Sequence, residues 1–205
     1  MVNKIKLKLK FTCRKKISVG SGKESSPAAD ITFMRVNGKL FIPGSTVKGA
    51  LRTNLLLIAD ILGLGNPEKS KEPSKIALSD DVVSSLFGKP GGGPPKLLVS
   101  PCYPDENSFV LNHVSIDDAT ATASEGSLYS AEYLPPGSTF LCEIIARDLN
   151  SKEFYALLAS IAATNYSRFG RDGWIEVKID LDESEIPTTM LQENFISNIL
   201  EDMAE

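Results

Sequence analysis

Residues 4–11, KIKLKLKF, alternate without a break: Lys4, Lys6, Lys8 and Lys10 face one way, and Ile5, Leu7, Leu9 and Phe11 the other. A period of two marks a β-strand with one buried face, and this strand is predicted to run to about Val19. The next stretch, GSGKESSPAAD (20–30), is rich in Gly, Ser and Pro and reads as a loop. The chain has 205 residues, 42% of them apolar and 23% charged, ordinary proportions for a globular domain. No apolar run approaches the roughly 20 residues that span a bilayer, and the Lys-apolar alternation at the N-terminus is not that of a signal peptide. A soluble cytoplasmic protein with no membrane partner is the expectation.

Beyond the loop, a short strand at Lys39 to Ile42 leads through Pro43-Gly44-Ser45 into an amphipathic helix. Val47, Leu51, Leu55, Ile58, Ile61 and Leu62 mark its face, Ser45 is its expected N-cap, and Gly63 or Gly65 its stop. Residues 66–78 read as polar and mobile, 80–87 as a short helix, and GKPGGGPPK (88–96) as loop. Strands are predicted at 97–102, 109–116, 128–134 and 139–147. A helix over 154–164, a strand over 174–179 and a last helix over 188–203 follow, the last with Leu191, Phe195, Ile199 and Met203 on one face. With the 109–134 hairpin set aside, the order is strand, helix, strand, strand, helix, strand. That is an α+β, ferredoxin-like (RRM-like) βαββαβ palm carrying a long inserted β-hairpin and loop insertions. One domain over 1–205 is expected, with the hairpin at about 109–134 and an acidic C-terminal helix at about 185–205. The aromatic pair with which RNA-recognition sheets stack bases is missing from KIKLKLKF.

Charge is distributed unevenly. Residues 1–52 hold 12 Lys or Arg against Glu24 and Asp30, a balance of +10, so the remainder carries −14. A basic half on an acidic chain is either a footprint for a polyanion or a dipolar surface. Cys13, Cys102 and Cys142 form no CxxC pair, so neither a zinc knuckle nor a disulfide framework is expected. They read as small buried apolar residues. The single histidine, His113, excludes a His-cluster metal site. As a base it would need a partner and a nucleophile, and nothing nearby in sequence supplies them, so packing is the role the residues alone suggest. Asp117 and Asp118 resemble a metal pair, but a hairpin entrance rich in Asp is more often just solvated.

Two segments carry candidate chemistry. In IPGSTVKGALR (42–52) the amides of a helix start point outward at the positive end of its dipole. Lys48 and Arg52, four apart, share a face above it. Read from the residues alone this is either a well-capped helix with two solvated cations or a phosphate cradle with two cations above it, and it lacks the order and spacing of a P-loop. HVSIDDATATASEGSLYSAEYLPPGSTFLCEI (113–144) is a long, weakly hydrophobic hairpin that its own core cannot stabilise, so it is mobile or lies against something else.

IPGSTVKGALR, SSLFG (84–88) and the hairpin with its EYLPPGSTF return, in that order, resemble the RAMP superfamily, and within it the backbone subunits of type III CRISPR effector complexes. The resemblance runs from the first strand to about Ile179. It implies subunits that stack, as copies or paralogues and beside other effector subunits, in a helical filament along a guide RNA. The ferredoxin-like palm binds the guide, and the hairpin is a thumb wedged between guide and target RNA. By position, Ser45, Lys48 and Arg52 would hold guide phosphates, and His113, Arg168 and Arg171 would be further RNA contacts. In NYSRFGRDGWIEVKI (165–179), Asp172 and Ile175 stand where the family commonly has Arg and Gly. Active members cut target RNA with an Asp in the loop after the first strand and a divalent metal ion, Mg or Mn; the matching residue is Asp30. The rival readings are a structural paralogue that binds guide and never cuts, a guide-processing ribonuclease, and an oligomerising domain whose basic face binds another protein.

Overall fold

Lys4–Cys13 form the central strand of the main sheet, and the alternation read from KIKLKLKF is what places it there. Ile5, Leu7, Leu9, Phe11 and Cys13 are all buried on one face. A computed structural model describes residues 3–20, 29–117, 120–124 and 127–204. Its first elements are β1 (Lys4–Cys13), β2 (Met34–Val36), β3 (Lys39–Phe41), α1 (Gly44–Ile58), α2 (Pro73–Leu78), α3 (Val82–Phe87), β4 (Leu97–Val99) and β5 (Tyr103–Pro104). Next come β6 (Phe109–His113), β7 (Ile116–Asp117), β8 (Thr122–Ala123), β9 (Tyr129–Tyr133) and β10 (Thr139–Arg147). The last are α4 (Ser151–Thr164), β11 (Ile175–Glu185), α5 (Thr188–Leu191) and α6 (Asn194–Met203). The architecture is mixed α and β with antiparallel sheets.

The main sheet has the order β11-β1-β10-β4, with β5 continuing along β10, and each neighbouring pair is antiparallel. Val47, Leu51 and Leu55 of α1 and Phe154, Leu157, Leu158 and Ile161 of α4 join the core cluster of the buried β1 face. The Asn54 side chain donates to the Thr164 hydroxyl at 3.0 Å across the two helices. Asn150 and Glu153 cap α4 reciprocally. On the other face of β1, Lys6 and Lys8 each lie between carboxylates, Glu143 with Glu185 for the first and Glu143 with Glu183 for the second, at 3.4–3.7 Å. These ladders draw β11 six residues beyond its predicted end at Ile179.

Several expectations need correction. Helix α1 starts at Gly44 with Pro43 as N-cap and no side-chain cap, so Ser45 lies exposed in its first turn. Gly44 admits close approach, but to this chain's own backbone: a Cβ there would sit 2.1 Å from the Val99 carbonyl oxygen. The polar stretch 66–78 contains α2, begun by Pro73. β1 ends at Cys13, and residues 17 and 18 continue only as isolated bridges to Leu134 and Arg171. The last helix is two, α5 and α6. Ile196, Leu200 and Met203 are buried, while Leu191 and Phe195 stay exposed. Cys102 and Cys142, opposite one another on the β5 side of β10, form a disulfide with a Cα–Cα separation of 4.9 Å. Cys13 alone is free, and its burial, with the charge of Asp105, pushes its pKa up to about 12.

Two glycines in α1 make opposite predictions. Gly44→Ala forces a methyl into the Val99–Ser100 backbone and should destabilise by about 3 kcal/mol. Gly49→Ala meets nothing within 4 Å and should stabilise by about 0.5–1 kcal/mol through helix propensity alone. Chemical denaturation of the two variants against the parent reads both; equal midpoints for the two would contradict the packing described.

Candidate nucleic-acid interface

Three stretches of chain meet at the foot of the β6/β9 hairpin. Residues 29–33 run beside β9, where the Ser130 carbonyl accepts from the Asp30 and Ile31 N–H groups at 3.1 and 3.0 Å. The Glu132 N–H donates to the Ile31 carbonyl at 2.8 Å. Glu132 then pins the stretch. Its buried carboxylate accepts from both terminal nitrogens of Arg35 (2.9 and 2.6 Å), from the Phe33 N–H (2.8 Å) and from the Ser108 hydroxyl (3.2 Å). Burial pushes the Glu132 pKa up, but the Arg35 and Phe33 hydrogen bonds outweigh it and leave the carboxyl below its ordinary range.

Asp30 is exposed at the end of this pinned stretch. Its Oδ2 accepts from the Ser130 N–H at 2.7 Å and the Ser130 hydroxyl at 2.9 Å. The backbone bond first, then the hydroxyl, hold its pKa below the usual aspartate value. A carboxylate so held is an oriented anion at neutral pH and a weak proton acceptor.

The other face of β9 carries Tyr129 and Tyr133. The Tyr133 ring is fully buried; its hydroxyl donates to Asp172 Oδ2 at 3.1 Å and lies 3.0 Å from His113 Nε2. Burial, followed by the Asp172 bond and charge, raises the Tyr133 pKa and keeps it a neutral phenol. His113 stacks on Tyr129 with centroids 4.9 Å apart. Thus His113 has the partner that the sequence did not reveal, and the partner is a buried phenol that fixes its ring. Lys16 lies 4.5 Å above the Tyr133 ring and Arg171 5.5 Å from that of Tyr129, both within cation–π range. Arg171 is held there by paired backbone bonds with Ser18. Gly170, at φ +64, permits this: a Cβ would lie 2.5 Å from the Ser18 carbonyl oxygen.

Ser45, Lys48 and Arg52 lie elsewhere, along α1 on the β4 side of the sheet. The half-buried Lys48 donates to the Leu97 carbonyl at 3.1 Å, and burial lowers its pKa. Arg52 lines a shallow cleft with Ile76, Phe87 and Lys89. The structure therefore groups Asp30, His113 and Arg171 around β9 and keeps the α1 cations apart from them. Arg168 sits in a separate cleft with Lys15, Tyr166 and Trp174. Of the Asp117–Asp118 pair, Asp117 Oδ1 accepts from the Thr120 N–H at 3.1 Å, and Asp118 lies outside the described residues. So do positions 119, 125 and 126 of the hairpin tip. Sequence reading missed Ser130, Glu132, Tyr133 and Lys16. The alternation in YSAEY (129–133) placed Tyr129 and Tyr133 on one face, but only the hairpin register sets that face against His113.

Residues 10–174 match the family model of the RAMP superfamily. No curated protein matches the chain. Among the described residues no helix is long and apolar enough to cross a membrane.

Because the folded Glu132 pKa is depressed, its contribution to stability is present above the ordinary value of 4.5 and is lost as pH falls through the lower folded value. Glu132→Gln should cost about 2 kcal/mol at pH 7, and the difference from the parent should be smaller at about pH 3. Thermal melts of both proteins at the two pH values measure this. A pH-independent gap would assign the loss to packing instead of to charge.

Proposed function

The chain belongs to the RAMP superfamily, whose members are CRISPR-associated RNA-binding proteins, and from this we propose that it is a backbone subunit of a type III CRISPR effector. In that role it binds guide RNA along a helical filament and cuts the paired target RNA. The family match over residues 10–174 carries the reading. The sheet order β11-β1-β10-β4, with α1 and α4 on its buried face, supports a ferredoxin-like palm, and the β6/β9 hairpin supports a thumb. The α1 cations and the cations around β9 lie apart on one copy. Neighbouring copies in a filament would bring one set against the other along a continuous strand.

The chain's own groups suit a cut by the ribose 2′-hydroxyl. Asp30, ionised and fixed by Ser130, would orient the attacking hydroxyl at the thumb's foot, and Arg171 and Lys16 would offset charge on the phosphorane. The attack forms a bond from O2′ to phosphorus and breaks the bond to the 5′-oxygen of the next nucleotide. The hydroxyl proton leaves to solvent, and the departing oxygen gains one. Among the described residues no three His, Cys, Asp or Glu side chains gather to hold a metal ion. One carboxylate with RNA phosphate and water fits Mg²⁺, or Mn²⁺ in its place, which keeps much of its water shell. Asp30 would hold the ion, which supplies charge stabilisation at the phosphate.

The Ser130 clamp also favours a second reading, in which Asp30 only ties residues 29–33 to the hairpin of a non-cutting scaffold. The assembled complex with a guide-matched RNA and Mg²⁺ separates the two. Cutting by the parent, 2′,3′-cyclic phosphate ends, loss with a chelator and at least a 100-fold loss in Asp30→Ala, with assembly intact, are expected of the enzyme. Ser130→Ala should move the acid limb of the rate profile to higher pH, since it removes one of the bonds that lower the Asp30 pKa. The scaffold predicts no cutting by the parent and impaired folding of Asp30→Ala.

Guide contact has its own test. The double substitution Lys48→Ala, Arg52→Ala should weaken all guide sequences alike and reduce the salt slope by about 1–2. Affinity unchanged at about 150 mM salt would remove α1 from the interface.

A further inference from the structure

We propose that Trp174 and Tyr166 form a stacking subsite for an unpaired base of single-stranded RNA, flanked by Lys15 and Arg168. The subsite rests on the RNA-binding reading above and adds to it a contact made to bases instead of phosphates. Trp174 is the chain's one tryptophan. It stands at the end of the loop that follows α4, directly before β11, and 46% of its surface is exposed. Its indole N–H donates to the Asn165 carbonyl at 2.9 Å, so the ring is oriented before any ligand arrives. The turn beneath it is tight, with Gly173 buried against the Phe169 carbonyl and Ile17. Tyr166, 87% exposed, lines the same cleft, which has a volume of about 540 Å³.

A folded chain gains nothing in stability from leaving two large aromatic rings in water, and the cleft around them is charged. Lys15 lies 5.8 Å from the Trp174 ring centroid, and Arg168 lines the wall. Among the described residues no carboxylate is paired with either cation, whereas the neighbouring Arg14 is taken up by Glu176. Asp172 completes the lining. Its charge repels phosphate from the interior and leaves the rim cations as the path for a backbone. Oriented π-faces with unpaired cations beside them suit a nucleobase with its phosphate outside. An apolar protein surface would have to desolvate Lys15 and Arg168 without answering their charge.

The lone tryptophan makes the test direct. The full chain is titrated with single-stranded oligo(A) and oligo(U), with an oligonucleotide of abasic residues, and with duplex RNA. Tryptophan emission and the anisotropy of labelled RNA are read together. Both single strands should quench emission saturably, and the abasic strand and the duplex should not. Trp174→Ala should weaken single-strand binding about tenfold, Tyr166→Ala several-fold, and Trp174→Phe least, with circular dichroism unchanged. Tyr166 is so exposed that its variant folds even if a Trp174 variant does not. RNA bound by the parent with no change in emission and no loss in Tyr166→Ala would overturn the stack while leaving the RNA-binding reading intact. No RNA bound under any condition would overturn both. Emission that shifts with protein concentration alone would assign the aromatic pair to contact between copies.

Discussion

Glu132 keeps an ionised carboxylate in the apolar foot of the hairpin, and it can do so only because every hydrogen bond it gave up in water is replaced there. Arg35 supplies two, the Phe33 N–H a third and Ser108 a fourth. An isolated charge at that depth would be expelled or neutralised. Residues 29–36 are therefore not free to choose a path: wherever β9 goes, they follow. The position of Asp30 is a consequence, since the stretch that answers Glu132 ends beside Ser130. The hairpin is fixed in turn by Tyr133 and Leu134, which enter the buried interior at its base. A hairpin too poor in apolar residues to fold on its own is thus rooted by one charge and one aromatic ring.

The same rule governs the charge asymmetry of the chain. The +10 of residues 1–52 is not an open polycation, because Lys6, Lys8, Arg14 and Arg35 are all paired with carboxylates from the acidic remainder. The Lys6, Lys8 and Arg14 pairs, unlike the buried Arg35–Glu132 pair, contribute little stability each, but they cancel charge over the open face of the sheet. Cations outside these pairs remain at Lys16 and Arg171 by the hairpin foot, at Lys15 and Arg168 in the cleft that Asp172 also lines, and at Lys48 and Arg52 on α1. The basic charge is thus split into small separate regions and is not one broad field.

Legibility in the sequence followed the range of the interaction. β1, β10 and α4 are specified by period within a few residues, and KIKLKLKF, TFLCEIIAR and the spacing of Phe154, Leu157, Leu158 and Ile161 show them, although α4 begins three residues earlier, at Ser151, on its Asn150–Glu153 cap. The length of β11 depends on lysines more than 170 positions away, so IEVKIDLDESE read as strand only as far as Ile179. The absence of a Ser45 cap has a similar origin: Pro43 and the Val99–Ser100 backbone fix the helix start before a side chain is needed. The Asp30–Ser130 clamp, the Tyr133 bond to His113 and the Cys102–Cys142 bridge join partners 20 to 100 residues apart. No local pattern announces them. The resemblance singled out Asp30 and the hairpin; only the register of β6 on β9 shows what holds them.

A carboxylate beside an RNA backbone is electrostatically costly, so its surroundings decide whether it can serve there. Ser130 lowers the Asp30 pKa through neutral donors and not through a cation. Its full negative charge therefore remains available to a metal ion or to a hydroxyl, where a paired aspartate would already have been spent. The balancing cations, Arg171 and Lys16, are directed at aromatic rings. A cation held over a ring keeps its charge and most of its hydrogen-bond donors, while the ring restricts where it can go. Anion and cations are thus held on different faces of β9 and do not neutralise one another. Among the described residues, neither Asp30 nor these two cations is therefore held in a surface ion pair such as that of Arg14 with Glu176.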